Sequence, residues 1–179
     1  SVSDMKLRGA EAVLVVAADS FKRARPKERL NIVSQAAKKL ALPILFANLV
    51  GGADVWVFDG ASFVVNRDGA CTARLACSTE DFKTVDLTGT KALDPTPVDD
   101  LGELYDALVL ALGDYVHKNG FKAVQIGLSG GVDSALVATI CADALGPENV
   151  YTLMMPTRYT TDLSLTEAEK LAKNLGIHY

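Results

Sequence analysis

Six consecutive residues, Ser129, Gly130, Gly131, Val132, Asp133 and Ser134, bring together the groups that a polyphosphate with a divalent metal requires. Adjacent glycines let the main chain approach a ligand without interference from Cβ atoms. Ser129 and Ser134 add two hydroxyls, and Asp133 adds a carboxylate. The apolar residues 123–128 lead in and an Ala- and Leu-rich run, 135–145, leads out. That order reads as strand, tight turn and helix. The first-turn amides of such a helix lack intrahelical acceptors and can receive an anion. The chemistry that follows is phosphate on the amides, with Mg2+ held by Asp133. The turn is not a Walker A loop, because no Gly-Lys-Ser/Thr follows the glycines, and it lacks the Gly-x-Gly-x-x-Gly spacing of a dinucleotide fingerprint.

The elements that must position this turn can be read outward from it. Residues 13–18 and 44–47 are short apolar runs of the kind found in buried strands. Between them, Pro26 suits a first helical turn, and Leu30, Val33, Ala37 and Leu40 recur at helical spacing. This predicts a helix over 27–41, ended by Pro43. Then follow a turn at Gly51-Gly52, strands over 55–58 and 62–65 with turns at Asp59-Gly60 and 66–69, and strand character over 70–77 and 82–87. A mixed sheet packed against helices is expected. Residues 88–97 have the composition of a linker, so the chain divides into a first domain 1–90, a linker 91–99 and a second domain 100–179. In the second, Leu101, Leu104, Tyr105, Leu108, Leu112 and Val116 form a helical stripe closed by Asn119-Gly120. A helix over 133–145 follows the glycine turn, then a strand over 150–155 and a polar loop over 156–163. Ser164 reads as the next N-cap, boxed by Glu167, and Gly176 as the C-cap. Leu165, Ala168, Leu171, Ala172 and Leu175 are the buried face of that last helix. This β-α-β-α order opens a doubly wound parallel sheet. A third strand could begin only after Ile177, and the first half starts without partner elements. The chain therefore reads as a piece cut inside a domain at both ends.

Composition narrows the classes. Of 179 residues 49% are hydrophobic, enough for a core, and the net charge of -4 with a pI near 5.2 argues against a general polyanion binder. A glycine nest and a metal can still hold a nucleotide locally. Cys71, Cys77 and Cys141 match no zinc spacing, and His117 and His178 are the only histidines. The cysteines read as buried or semi-buried free thiols in a reducing compartment. No apolar run reaches the roughly 18 to 20 residues of a membrane span, and the first residues do not form a signal peptide. A cytoplasmic protein with neither nucleic-acid nor membrane partners is expected.

Ser129 to Ser134 closely resembles the pyrophosphate loop of the N-type ATP pyrophosphatases, which adenylylate an acceptor and release pyrophosphate. Residues 154–164 and 167–177 resemble the corresponding segment in the synthetase domain of glutamine-dependent NAD+ synthetases. Residues 21–30, 43–50 and 51–63 resemble the end of the nitrilase-like glutaminase domain fused in front of such synthetases. The resemblance covers about residues 9–179. It implies the C-terminal part of a nitrilase-like αββα sandwich joined to the first half of an adenine nucleotide alpha-hydrolase-like sheet. It implies ATP and Mg2+ as cofactors, with deamido-NAD+ and glutamine or ammonia as the other small-molecule substrates. It also implies a homo-oligomer for the full-length parent. By the same resemblance Asp133 holds the metal, the loop residues bind the phosphates, Ser129 and Ser134 donate to the leaving group, Met155 lies near the adenosine, and Arg158 and Thr160 face the nucleotide. Tyr159 fits surface packing and a ligand role equally. The family's Glu-Lys-Cys triad lies upstream of the matched segment, so no catalytic residue is assigned here and Cys71 is not the nucleophile. The chain also departs from the family pattern. Ala17-Ala-Asp-Ser-Phe21 stands where Asn-Ala-Ser-Pro-Phe is usual, and Asn48-Leu-Val-Gly-Gly-Ala-Asp-Val55 where Asn-Gln-Val-Gly-Gly-Gln-Asp-Glu is usual. Two other readings remain: a different amide-forming ligase with this loop, GMP-synthetase-like or asparagine-synthetase-like, and a catalytically degenerate scaffold or interface module for the front domain. The isolated 179-residue chain is expected to show little or no turnover.

Overall fold

Strands β1 (Val13–Ala17) and β2 (Ile44–Asn48) run parallel, with Val13 opposite Ile44 and Ala17 opposite Asn48, and helix α1 (Arg25–Leu40) joins them. The computed structural model describes residues 6, 8–93, 99–156, 158 and 160–179. It packs as two units, Ser1–Gly51 with Val55–Ala107 and Gly52–Asp54 with Leu108–Tyr179. Most of the expected linker, residues 94–98, lies outside the described residues.

In the first unit α1 starts two residues earlier than its apolar periodicity predicts. Ala24 takes a left-handed φ of 62° to make the entry, and Pro26 occupies the first turn. Val33, Ala37 and Leu40 from α1 pack with Val13, Ile44, Phe46, Phe63 and Val65 from the sheet. Strands β5 (Phe63–Val65) and β6 (Cys71–Arg74) continue the sheet antiparallel, in the order β1-β2-β5-β6, which is the expected mixed sheet. Two expectations fail. Gly51 and Gly52 are not a turn but part of β3 (Val50–Ala53), which pairs with β4 (Trp56–Asp59). The reversal falls at Asp54, whose φ of 55° is one that Asp tolerates better than most residues. Residues 82–87 form no strand. The polar Lys83, Thr84 and Asp86 interrupt the apolar alternation there, and Phe82 is 90% exposed.

One buried charge network holds this unit. Arg29 and Asp59 are 4% and 2% exposed, and Arg29 Nη2 donates to Asp59 Oδ1 at 3.0 Å. Arg29 Nε donates to Asp19 Oδ2 at 2.8 Å, and Arg25 Nη2 donates to Asp19 Oδ1 at 2.9 Å. Asn48 closes the network, donating from Nδ2 to the Asp19 carbonyl and accepting the Asp19 N–H on Oδ1. Arg25 and, against the opposing effect of burial, Arg29 hold the Asp19 carboxyl below the usual carboxylate range. Cys71 is buried as expected, whereas Cys77 is exposed, because it follows the end of β6 and bridges only to Gly60.

The second unit is built on a parallel pair, β7 (Val124–Gly127) and β8 (Val150–Leu153), with Gly127 opposite Leu153. Helix α3 (Val132–Leu145) connects them through a 3-10 turn, Pro147–Asn149, and helix α4 (Asp162–Leu175) follows. Leu128, Ala138, Cys141, Ala142, Val150, Ala168, Ala172 and Ile177 form the core. After α4 the chain returns to the sheet: His178 N–H donates to the Val150 carbonyl at 3.0 Å and Thr152 N–H to the His178 carbonyl at 2.8 Å. His178 thus forms an isolated parallel bridge with Tyr151, at the place after Ile177 where the sequence leaves room for a third strand. Helix α2 (Asp100–Lys118) does not bury the whole expected stripe. Leu101 and Leu108 are 71% and 43% exposed, while Ala107 and Val116 are buried. Its last turn grips Gly52, whose N–H donates to Asp114 Oδ2 at 2.6 Å and whose carbonyl accepts from Lys118 Nζ at 2.7 Å. Burial would raise the Asp114 carboxyl, but Lys118 and the Gly52 N–H outweigh it and hold it low.

Removing Asp59 leaves Arg29 charged and buried, so Asp59→Ala is expected to cost about 3 kcal/mol in urea unfolding. Asp19 has a depressed folded pKa. Its contribution is therefore fully present above the ordinary carboxylate range and is lost as pH falls through the folded value. An Asp19→Asn variant is expected to unfold with a flatter pH dependence below about pH 4 than the parent chain.

Candidate phosphate-binding turn

Strand β7 delivers the chain to the buried Leu128, which anchors the turn from below at 1% exposure. Leu128 N–H donates to the Leu153 carbonyl at 3.0 Å, tying the turn to the end of β8. Gly130 then adopts φ 77°, and Gly131, at φ -88° and ψ 157°, caps α3 without a side-chain bond. Helix α3 begins at Val132, one residue before the expected start, and places Asp133 exposed in its first turn. The amides of Val132, Asp133 and Ser134 have no intrahelical acceptors, by the geometry of any helix start.

The two serines lock this shape. Ser129 N–H donates to Ser134 Oγ at 3.2 Å, and Gly131 N–H donates to Ser129 Oγ at 3.3 Å. Ser134 Oγ donates to the Gly131 carbonyl at 3.0 Å, and the two hydroxyl oxygens are 3.0 Å apart. A hydroxyl has one proton. Ser134 spends its proton on Gly131, so Ser129 supplies the one between the hydroxyls. Both protons are used inside the turn, and the donors left facing outward are main-chain amides.

Helix α4 forms the facing wall. A Cβ at Gly130 would overlap the carbonyl oxygen of Ser164, so only glycine fits there. Ser164 is not the N-cap that the sequence pattern predicts. Thr161 is, at φ -82° and ψ 153°, and its Oγ1 accepts the Ser164 N–H at 3.2 Å. Thr161 wins because its hydroxyl sits three residues before Ser164, the reach of an N-cap side chain. Glu167 instead pairs with Lys170 at 2.9 Å. Strand β8 ends at Leu153, two residues short of the expected 155, which leaves Met154 and Met155 in the loop. Between the turn and this loop lies a cleft of about 300 Å3 lined by Gly127, Ser129, Leu153, Met155, Thr160 and Ser164, among others. Met155 is 67% exposed and reaches over Gly127, where a Cβ would come 3.3 Å from its Cε.

The structure thus gathers Ser129, Gly130, Gly131, Val132, Asp133 and Ser134 at one helix start, with Met155 and Thr160 beside the same cleft. Arg158 is exposed and does not line it. Tyr159 lies outside the described residues. Sequence reasoning missed the role of Thr161, whose signal was the Thr-x-x-Ser spacing just before the apolar periodicity of α4. Among the described residues no group of three His, Cys, Asp or Glu side chains could hold a metal by itself. A single carboxylate at the mouth of an amide nest nevertheless fits Mg2+, which takes one or two carboxylates and completes its shell with phosphate and water.

Known proteins are similar to this chain in sequence and fold. Residues 104–179 match the family model described as NAD synthase. Two curated proteins described as glutamine-dependent NAD(+) synthetases are close in sequence. The one from Synechocystis sp. is 41% identical over 98% of this chain and 32% of its own length. The one from Rhodobacter capsulatus is 43% identical over 94% of this chain and 32% of its own length. A solved glutamine-dependent NAD+ synthetase from Acinetobacter baumannii, in complex with ADP, superposes with a TM-score of 0.90 at 36% identity, over 99% of this chain and 35% of that one. The chain spans about a third of the length of these relatives. The fold class read from the sequence holds: an α/β chain that combines a nitrilase-like part with an adenine-nucleotide-binding part.

Gly130→Ala must both adopt a left-handed φ and displace the Ser164 carbonyl. It is expected to destabilise the second unit by about 1–3 kcal/mol and to weaken magnesium pyrophosphate binding at least about tenfold, read by thermal unfolding and by 31P NMR titration.

Proposed function

We propose, on the premise that this chain is a homologue of glutamine-dependent NAD(+) synthetases over about a third of their length, that it carries the ATP-phosphate half of a ligase site converting deamido-NAD+ to NAD+. One observation carries the reading: an amide-rich turn at a helix start, closed by its own serines and walled by α4, with Asp133 as the exposed carboxylate at its mouth. The ADP in the Acinetobacter baumannii relative supports an adenine nucleotide as the ligand of the adjoining cleft.

In the proposed reaction a carboxylate oxygen of deamido-NAD+ attacks the α-phosphorus of ATP. The bond from that phosphorus to the bridging oxygen breaks, and pyrophosphate leaves with the electron pair. Ammonia then attacks the carbonyl carbon of the acyl adenylate, AMP departs and the nitrogen sheds its proton. Charge grows on the β and γ phosphates during the first step. Amides already pointing at that position stabilise it without reorganising, which is where such donors are worth most. The amides of residues 132–134 are assigned this role. The serine ring keeps them aimed. Asp133 would hold Mg2+, which would supply positive charge against the leaving pyrophosphate. Met155 and Thr160 lie along the adenosine, with Arg158 further out on the same loop. The ammonia is proposed to come from glutamine in the parent protein, and turnover to need the remaining two-thirds of the relatives' length.

Calorimetric titration of the chain with ATP is expected to show Mg2+-dependent binding that Asp133→Asn weakens about tenfold, while binding without Mg2+ changes little. Magnesium-independent binding that is indifferent to Asp133 would remove that residue from the metal role. In a steady-state assay with ATP, Mg2+, deamido-NAD+ and ammonia, the 179-residue chain is expected to form little or no NAD+, whereas robust turnover would show that the site is complete.

A further inference from the structure

We infer that the first turn of α4, fastened by the Thr161–Ser164 hydroxyl pair, sets the position of the glycine turn, which makes Thr161 a positioning residue for the phosphate site. The contact that transmits its effect is main chain to main chain. Gly130 lies against the carbonyl of Ser164 with no room for a Cβ. Any shift of Ser164 therefore moves the wall on which the turn rests.

Two features fix Ser164. From below, Ala168 and Ala172 are 0% and 1% exposed and pack with Ala138, Cys141 and Ala142 of α3, so the body of α4 cannot slide. From above, the cap ties the first turn to Thr161: Ser164 N–H donates to Thr161 Oγ1 at 3.2 Å, and Ser164 Oγ lies 3.0 Å from the same oxygen. Helix ends fray when their caps are lost. Fraying here frees the Ser164 carbonyl and with it the left-handed conformation of Gly130. Thr161 also lines the cleft, directly after Thr160 in the chain. A ligand that orders Thr160 and Met155 would tighten the cap and, through Ser164, the turn about the phosphates. The nucleoside and phosphate ends of one ligand are coupled through this cap. That consequence rests on the nucleotide reading above. The dependence of the turn on Thr161 does not.

The test is amide hydrogen exchange at residues 129 and 131, whose N–H groups are bonded inside the turn, in the ligand-free chain, alongside calorimetric affinity for magnesium ATP. Thr161→Val is expected to raise exchange at 129 and 131 about fivefold and to weaken ATP binding by a similar factor, and Thr161→Ser to restore both, since a serine cap keeps the oxygen. Thr161→Gly keeps a favourable cap backbone and is the variant to compare should the valine form fold poorly. It is expected to change exchange in the same direction, by about twofold. Faster exchange confined to residues 162–165, with 129 and 131 unchanged in both variants, would overturn the inference. So would loosening that serine fails to reverse. If the parent chain binds no magnesium ATP, the proposed function fails, and the exchange comparison still decides the role of Thr161.

Discussion

Gly130 and the carbonyl of Ser164 occupy adjoining space with no allowance for a side chain, and the second unit is organised to bring these two stretches of main chain together. Strand β7 and the buried Leu128 carry the turn to the right height, while α3 leaves it with its amides unpaired. Ala168 and Ala172, small and buried, let α4 lie close against α3. A larger residue at either position would lift the wall away from the turn. The proposed phosphate site thus depends on a packing constraint set by alanines and one glycine, none of which carries a functional group.

The serines of the turn act first on the turn itself. Their two hydroxyl protons close a ring from Ser129 through Ser134 to the Gly131 carbonyl. The ring fixes the amides in advance, so that in the proposed reaction stabilisation of a growing negative charge would cost no rearrangement. The first unit meets a different constraint. Arg29 and Asp59 are nearly inaccessible to water, and such a pair is tolerable only when its hydrogen bonds are satisfied. Asp19, Asn48 and the Gly60 carbonyl supply the remaining partners of Arg29 and Asp59. Among the described residues no buried side-chain polar atom is left without a partner. The positions where this chain departs from the family pattern show a contrast. Asp19 is built into that network, whereas Leu49 and Val55 are 48% and 79% exposed, the latter beside Trp56 at 58%.

Most of the second unit was legible because its signals are local. A glycine pair after an apolar strand and before an alanine-rich run admits few structures, and the glycine ending α4 sits where a left-handed cap is needed, at φ 71°. The parallel order of β1 and β2 followed from two apolar runs separated by one amphipathic helix. What was missed depended on partners far along the chain. Gly51-Gly52 reads locally as a turn, but the strand pairing with β4 decides otherwise. Residues 82–87 have some strand character and no neighbouring strand to pair with among the described residues. Leu101 and Leu108 lie on a helical stripe that the packing does not cover. Thr161 was overlooked because Ser164 with Glu167 spells a capping box, while the helix starts one turn earlier. The contact between Gly130 and Ser164 joins residues 34 positions apart by main chain alone, and no residue type announces it.

The most direct measurement of the central claim is a residue-by-residue amide NMR titration of the chain with ATP and Mg2+. The largest shifts are expected on the amides of residues 130–134, with a second group at 153–155 and 160–164, and the sheet of the first unit is expected to stay unchanged. Shifts centred on the first unit, or equal shifts at residues 130–134 with and without Mg2+, would contradict it.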